Sequence, residues 1–111
     1  MAASVVPYSE AAPTRAEVDA MAGAVLLDFG TNWCGFCQRA EPAVGQAMAA
    51  RPEVRHIKVE DGPGRALGRA FKVKLWPTLV ALQDGVELGR VSRPAGVEAV
   101  EEVLSRFTPA A

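Results

Sequence analysis

The hydrophobic positions of this chain form short runs, typical of buried β-strands, that alternate with amphipathic helical segments. The run Ala24–Phe29 is too short for a buried helix and is closed by Gly30, so we predict an interior strand buried on both faces. Asp84-Gly85 favours a tight hairpin between two later strands. The remaining strands are predicted at residues 3–8, 54–59, 79–82 and 86–91.

Helical periodicity fills the segments between these strands. Thr14 and Glu17 have the spacing of a capping box, which predicts a helix that begins there. A second helix is predicted to start at Cys34, with Pro42 in its interior. The four predicted helices are residues 14–22, 34–50, 65–71 and 97–107. The order βαβαβαββα indicates an α/β fold with strands in the middle and helices outside.

Size and charge narrow the class of protein. A length of 111 residues suits one domain, 1–111, with a core large enough to be stable without structural disulfides or a structural metal. The formal net charge of -1 lacks the basic field of most nucleic-acid binders, and no apolar run is long enough to span a bilayer. Residues 1–12 do not have the apolar centre of a signal peptide, so we expect a cytoplasmic protein.

The chain has two cysteines, Cys34 and Cys37, only two residues apart. In a reducing compartment such a pair indicates either a cycling disulfide or metal ligation rather than a permanent staple. Zinc needs about four ligands, and His56 is the only histidine. We therefore predict no metal site within one chain, while a site shared between two chains remains an alternative.

A strand that leads into a helix beginning with Cys-x-x-Cys is suited to thiol chemistry. Cys34 lies at the predicted helix start, where unpaired amides and the helix dipole favour an anion, so we predict that it is the nucleophile. Cys37 lies one turn further in and is predicted to be the enclosed thiol that resolves a mixed disulfide. Two ordinary core cysteines are the alternative, which the neighbouring Trp33 and Gly35 make less favourable.

Asp28 ends the apolar strand six residues before Cys34 and is expected to be buried. Buried carboxylates can exchange a proton near neutral pH, which makes Asp28 a candidate general base for Cys37 and general acid for the leaving thiol. A structural aspartate that bonds to a loop amide is the alternative.

These motifs together resemble the thioredoxin family. The resemblance rests on Asp28-Phe29, Trp33-Cys34-Gly35-Phe36-Cys37, Pro42, Trp76-Pro77-Thr78 and Asp84-Gly85, and covers residues 25–107. It implies the thioredoxin fold, with a central mixed β-sheet flanked by helices, and thiol-disulfide exchange. It also implies that Pro77 follows a cis peptide bond and that the backbone of Trp76 pairs with an extended substrate segment.

Several positions depart from the usual thioredoxin pattern. Phe36 stands where thioredoxins carry a proline, and Gly30 stands where they commonly carry a large aromatic residue. Trp76 is bulkier than the usual aliphatic residue. Either His56 or Lys58 occupies the strand position at which the family places a buried lysine beside the acid. The resemblance implies five substrate-binding residues: Trp33, Gly35, Phe36, Trp76 and Pro77.

We therefore predict a monomeric thiol-disulfide oxidoreductase that needs no cofactor. Its expected partners are protein disulfides and a recycling reductase or small thiol, and its expected role is that of a cytoplasmic reductase in cell redox homeostasis. The alternative is a client-binding or folding-helper module that uses the same fold without turnover.

Overall fold

The computed structural model describes residues 6–108. Four strands form one mixed sheet in the order β2-β1-β3-β4, in which β1 is parallel to β2 and antiparallel to β3, and β3 is antiparallel to β4. The elements follow one another as α1 (Arg15–Asp19), β1 (Ala24–Gly30), α2 (Gly35–Ala49), β2 (Arg55–Glu60), α3 (Ala66–Ala70), β3 (Thr78–Gln83), β4 (Val86–Ser92) and α4 (Val97–Leu104).

Strand β1 is the centre of the fold because it is buried on both faces, as predicted. Leu26 packs with residues of α2 and α4 on one face, whereas Leu27 and Phe29 pack with residues of α1 and α3 on the other. Side chains alternate along a strand, so Asp28 follows Leu26 onto the α2 face. The hydrophobic pattern thus places the acid beneath the helix that carries the cysteines.

Local signals set the ends of several elements. The Thr14 hydroxyl accepts from the Glu17 amide at 3.1 Å and Glu17 Oε1 accepts from the Thr14 amide at 2.9 Å, which confirms the capping box. Asp84 and Gly85 both have positive φ, 51° and 81°, as the twist of a tight hairpin requires. Pro42 lies inside α2, as predicted.

Several boundaries differ from the sequence-based prediction, which placed the end of the first helix at residue 22, whereas α1 ends at Asp19. Helix α4 ends at Leu104, after which the amides of Arg106 and Phe107 bond to the carbonyls three residues earlier, and Phe107 still packs on the core. The predicted first strand, 3–8, lies partly outside the described residues. Within them, a single parallel bridge joins Ser9 to Val59 of β2.

Candidate active site

The two cysteines occupy the first turn of α2. Cys34 is the N-cap residue, and its Sγ accepts a hydrogen bond from the Cys37 amide at 3.3 Å. An N-cap side chain meets the unpaired amides of the first turn, which is where a thiolate is best stabilised. Cys34 is 7% exposed and Cys37 is 1% exposed. Cys37 is therefore the more enclosed thiol, as predicted.

Burial is the main influence on the pKa of the Cys37 thiol. Burial first, and then its hydrogen bond and charge interaction with Cys34, raises the pKa of Cys37 to about 12, against lowering contacts from the Thr31 backbone and Tyr8. A thiol with such a pKa keeps its proton at neutral pH. Cys37 can therefore attack only after a nearby group has taken that proton.

Asp28 lies behind the cysteines and is almost fully buried. Its Oδ1 accepts from the Tyr8 hydroxyl at 2.7 Å, and its Oδ2 lies 2.9 Å from His56 Nε2. Lys58 is the register partner of Asp28 on β2, but its Nζ donates to Glu41 Oε1 at 2.8 Å. His56 is therefore the β2 side chain that bonds to the acid, which settles the choice between His56 and Lys58.

Aromatic side chains form the rim around Cys34. Trp33 is 72% exposed, and its ring lies edge-on to that of Trp76 at 5.7 Å between centroids. Phe36 is half exposed and lies between two guanidinium groups, 3.8 Å from Arg93 and 4.7 Å from Arg39. The rim thus combines exposed aromatic surface with positive charge.

The segment around Pro77 is held from both sides. The peptide bond between Trp76 and Pro77 is cis, which confirms that prediction. Trp76 Nε1 donates to Asp61 Oδ2 at 2.8 Å, and Arg93 Nε donates to the Trp76 carbonyl at 2.9 Å. The backbone of Trp76 therefore lies at the rim with its carbonyl already bonded to Arg93.

A cavity of about 430 Å³ opens behind the cysteines, between α2, β2 and the N-terminal segment. Its lining includes Tyr8, Asp28, Cys37 and His56, so the buried acid is connected to a recess rather than sealed in the core. Within residues 6–108, no three His, Cys, Asp or Glu side chains come together as they would around a metal ion.

Comparison with known proteins decides the family. The family model described as Thioredoxin matches residues 6–106. The chain belongs to the thioredoxin family. Thioredoxin 2 from Pseudomonas aeruginosa, solved in its reduced form, is 53% identical with a TM-score of 0.82, over 90% of this chain and 93% of that one. A thioredoxin from Aspergillus fumigatus is 30% identical over 86 residues, which are 78% of this chain and 80% of that protein.

Membership of the thioredoxin family, with both cysteines at the active-site spacing, identifies this protein as a protein-disulfide oxidoreductase with a dithiol pair. The predicted thioredoxin fold is likewise confirmed, since a second solved thioredoxin, from Fasciola hepatica, is 28% identical with a TM-score of 0.68 over 84% of this chain and 86% of that one. In the part of the chain that the structure describes, no helix is long and apolar enough to cross a membrane.

The sequence did not lead us to expect a tyrosine in this thioredoxin active site. Tyr8, the only tyrosine of the chain, is 6% exposed and packs against Cys34 and Cys37. A Cβ at Gly30 would lie 2.7 Å from the Tyr8 ring and 2.6 Å from Cys37 Sγ. The glycine therefore leaves room for Tyr8. Because thioredoxins commonly carry a large aromatic residue at the position of Gly30, its absence was the signal that another aromatic residue fills this space.

Proposed function

We propose that this protein is a cytoplasmic disulfide reductase that acts on protein substrates and contributes to cell redox homeostasis. The observation that carries the proposal is the position of Cys34 at the N-cap of α2, with Cys37 buried one turn further in and Asp28 buried behind them. We further propose that it works as a single monomeric domain, 1–111, without a cofactor. Both cysteines of the chain belong to the proposed redox pair, which leaves none for a structural disulfide, as is usual for proteins of a reducing compartment.

In the proposed reaction the Cys34 thiolate attacks a client disulfide, and one client sulfur leaves with the bonding electron pair. The mixed disulfide then breaks when the thiolate of Cys37 attacks Cys34 Sγ and expels the second client sulfur. Asp28 takes up the proton that Cys37 must lose. The client gains two electrons, the Cys34–Cys37 pair becomes a disulfide, and a reductase or a small thiol returns it to the dithiol.

We assign client binding to Trp33, Gly35, Phe36, Trp76 and Pro77. The exposed rings of Trp33 and Phe36 offer apolar contact area, and the Trp76 backbone can pair with an extended segment. A client amide that donates to the Trp76 carbonyl approaches the oxygen to which Arg93 Nε also donates at 2.9 Å. The guanidinium of Arg93 then lies beside the client, which favours acidic client segments.

The test is reduction of the disulfides of insulin by the wild type and by Cys34→Ser. We expect turnover by the wild type and none by the variant, and equal rates would contradict the proposed nucleophile. A protein whose cysteines do not cycle against glutathione would instead be a client-binding module.

The direction of electron flow is tested by the reduction potential of the Cys34–Cys37 couple. We expect a value near about -270 mV, as for a thioredoxin that reduces its clients. A value between about -180 and -120 mV would show that Phe36, which replaces the usual proline, has made this protein an isomerase or an oxidant.

A further inference from the structure

The hydroxyl group of Tyr8 lies between the resolving thiol and the buried acid. It donates to Asp28 Oδ1 at 2.7 Å. A Cβ added to Gly30 would lie 2.8 Å from the Tyr8 hydroxyl oxygen and 2.6 Å from Cys37 Sγ, so these two atoms are neighbours. The Tyr8 ring also packs against both cysteines. The Tyr8 proton is directed at the carboxylate, so the lone pairs of its oxygen are left for the Cys37 side.

Tyr8 is fixed in this position by neighbours outside the dithiol motif. Asn32 clamps its backbone, with Oδ1 accepting from the Tyr8 amide at 2.8 Å and Nδ2 donating to its carbonyl at 3.2 Å. The next residue, Ser9, pairs with β2 through hydrogen bonds to Lys58 and Glu60, and Lys58 Nζ lies 4.5 Å from the centre of the Tyr8 ring. The hydroxyl is thus held in place before any client arrives.

We propose that Tyr8 is a catalytic residue that relays the proton from the Cys37 thiol to the Asp28 carboxylate. The proposal rests on the function proposed above and deepens its second step. The Cys37 proton moves to the Tyr8 oxygen while the Tyr8 proton moves to Asp28 Oδ1, and the S–H electron pair stays on Cys37 as a thiolate. That thiolate forms the bond to Cys34 Sγ, and the bond from Cys34 to the client breaks, with the electron pair leaving on the client sulfur.

The chemistry of Tyr8 suits a relay rather than a proton store. Burial first, followed by the neighbouring Asp28 and Cys37, raises the pKa of Tyr8 far above its ordinary value, so the phenol passes a proton on without remaining a phenolate. After the transfer its new O–H faces the Cys37 sulfur, and a contact of this kind lowers the pKa of Cys37. The contact with Tyr8 therefore offsets part of the increase that burial causes in the pKa of Cys37.

The proton that reaches Asp28 has a route outward. Asp28 Oδ2, on the opposite side of the carboxylate from Tyr8, lies 2.9 Å from His56 Nε2. The His56 side chain is 26% exposed, whereas that of Asp28 is only 4% exposed. Tyr8 thus connects the thiol to the acid, and His56 connects the acid to solvent.

The decisive variant is Tyr8→Phe, which keeps the ring and removes the hydroxyl. Reduced protein is mixed with an excess of a peptide disulfide, quenched with acid at millisecond intervals, and the mixed disulfide on Cys34 is followed by mass spectrometry. We expect the variant to form the mixed disulfide at the wild-type rate but to resolve it on the order of 10- to 100-fold more slowly at neutral pH. This gap narrows as the pH rises, because hydroxide replaces the relay.

Ser105→Ala is the control. It also removes one hydroxyl that makes a hydrogen bond, here to the Glu102 carbonyl at 2.6 Å at the exposed end of α4. Loss of this hydroxyl should leave the resolution rate unchanged. A Tyr8→Phe variant that resolves as fast as the wild type, or is slowed equally at every pH, would overturn the relay and leave Tyr8 as packing only.

Two further experiments distinguish a failure of the relay from a failure of the proposed function. In the Tyr8→Phe background, Asp28→Asn should slow the resolution of the mixed disulfide far less than it does in the wild type, because the acid then receives no proton through Tyr8. Additive effects of the two substitutions on the resolution rate would overturn the relay. In Cys34→Ser, which cannot turn over, Tyr8→Phe should raise the pKa of Cys37 as measured by the pH dependence of its alkylation. A wild type that reduces no disulfide would contradict the function itself, whereas a normal wild type with an unaffected Tyr8→Phe contradicts the relay alone.

Discussion

Tyr8 occupies the space that a side chain at Gly30 would need, although the two residues lie far apart in the sequence. A Cβ on Gly30 would approach both the Tyr8 ring and Cys37 Sγ to within 2.7 Å. The glycine and the tyrosine therefore act as a complementary pair behind the dithiol. Much of what distinguishes this thioredoxin follows from this pair.

Gly30→Ala tests this complementarity. We expect it to lower the free energy of unfolding by about 1–3 kcal/mol, because the Tyr8 ring and the Cys37 sulfur must shift to make room for the added methyl group. Gly45→Ala is the control, since a Cβ at this exposed position inside α2 meets nothing within 4 Å. It should raise stability by about 0.5–1 kcal/mol. Urea unfolding of both reduced variants gives the comparison, and equal effects would show that Gly30 has spare room.

The stability of the reduced protein should fall as the pH rises above about 9. The pKa of Cys37 is raised by burial from 9.0 to about 12, so the folded state holds its thiol proton at pH values where the unfolded state has lost it. Stability from this group is complete below pH 9.0 and is lost as the pH rises through that window. Denaturant titrations across the window should show a shallower fall for Cys37→Ala, and an identical slope would contradict the buried thiol.

Asn32→Ala tests the clamp on Tyr8. The substitution removes two hydrogen bonds to the Tyr8 backbone, at 2.8 and 3.2 Å, and should cost about 1–2 kcal/mol of stability. It should also slow the resolution of mixed disulfides, because Tyr8 is held less firmly. Ser9→Ala, which removes a hydrogen bond from the same segment without touching Tyr8, should cost less and leave resolution unchanged. Equal behaviour of the two variants would show that the clamp has no part in the reaction.

Arg93→Ala tests client selection at the rim. Arg93 bonds to the Trp76 carbonyl and lies over Phe36, so it supplies positive charge at the aromatic rim. Its loss should lower kcat/KM for a disulfide peptide with a neighbouring glutamate by about two- to fivefold, as expected for an exposed ion pair. A peptide of the same length with glutamine should react at the wild-type rate. An equal loss for both peptides would assign Arg93 to structure rather than selection.

The sequence predicted the parts of this site that rest on local patterns. An apolar run that ends in Asp28 and a helix that begins at Cys34 are both visible along the chain, so their placement could be predicted and is observed. The role of Tyr8 could not be predicted in this way. Gly30 indicated only that some other aromatic residue fills the space, and the contact of Tyr8 with Asp28 joins the N-terminal segment to β1 without any periodic pattern. The choice of His56 over Lys58 also needed the structure, since the two residues share a strand face. The register pairs Asp28 with Lys58, whereas the side-chain contact of the acid is with His56.

The central claim is that Cys34 attacks and Cys37 resolves. It is tested most directly by mixing reduced Cys37→Ser and Cys34→Ser with a disulfide-bonded client and mapping any mixed disulfide by mass spectrometry. We predict that Cys37→Ser accumulates a stable adduct through Cys34 and that Cys34→Ser forms none, because Cys37 is buried and keeps its proton. An adduct on Cys37 of the Cys34→Ser protein, formed as quickly as the adduct on Cys34, would contradict the account.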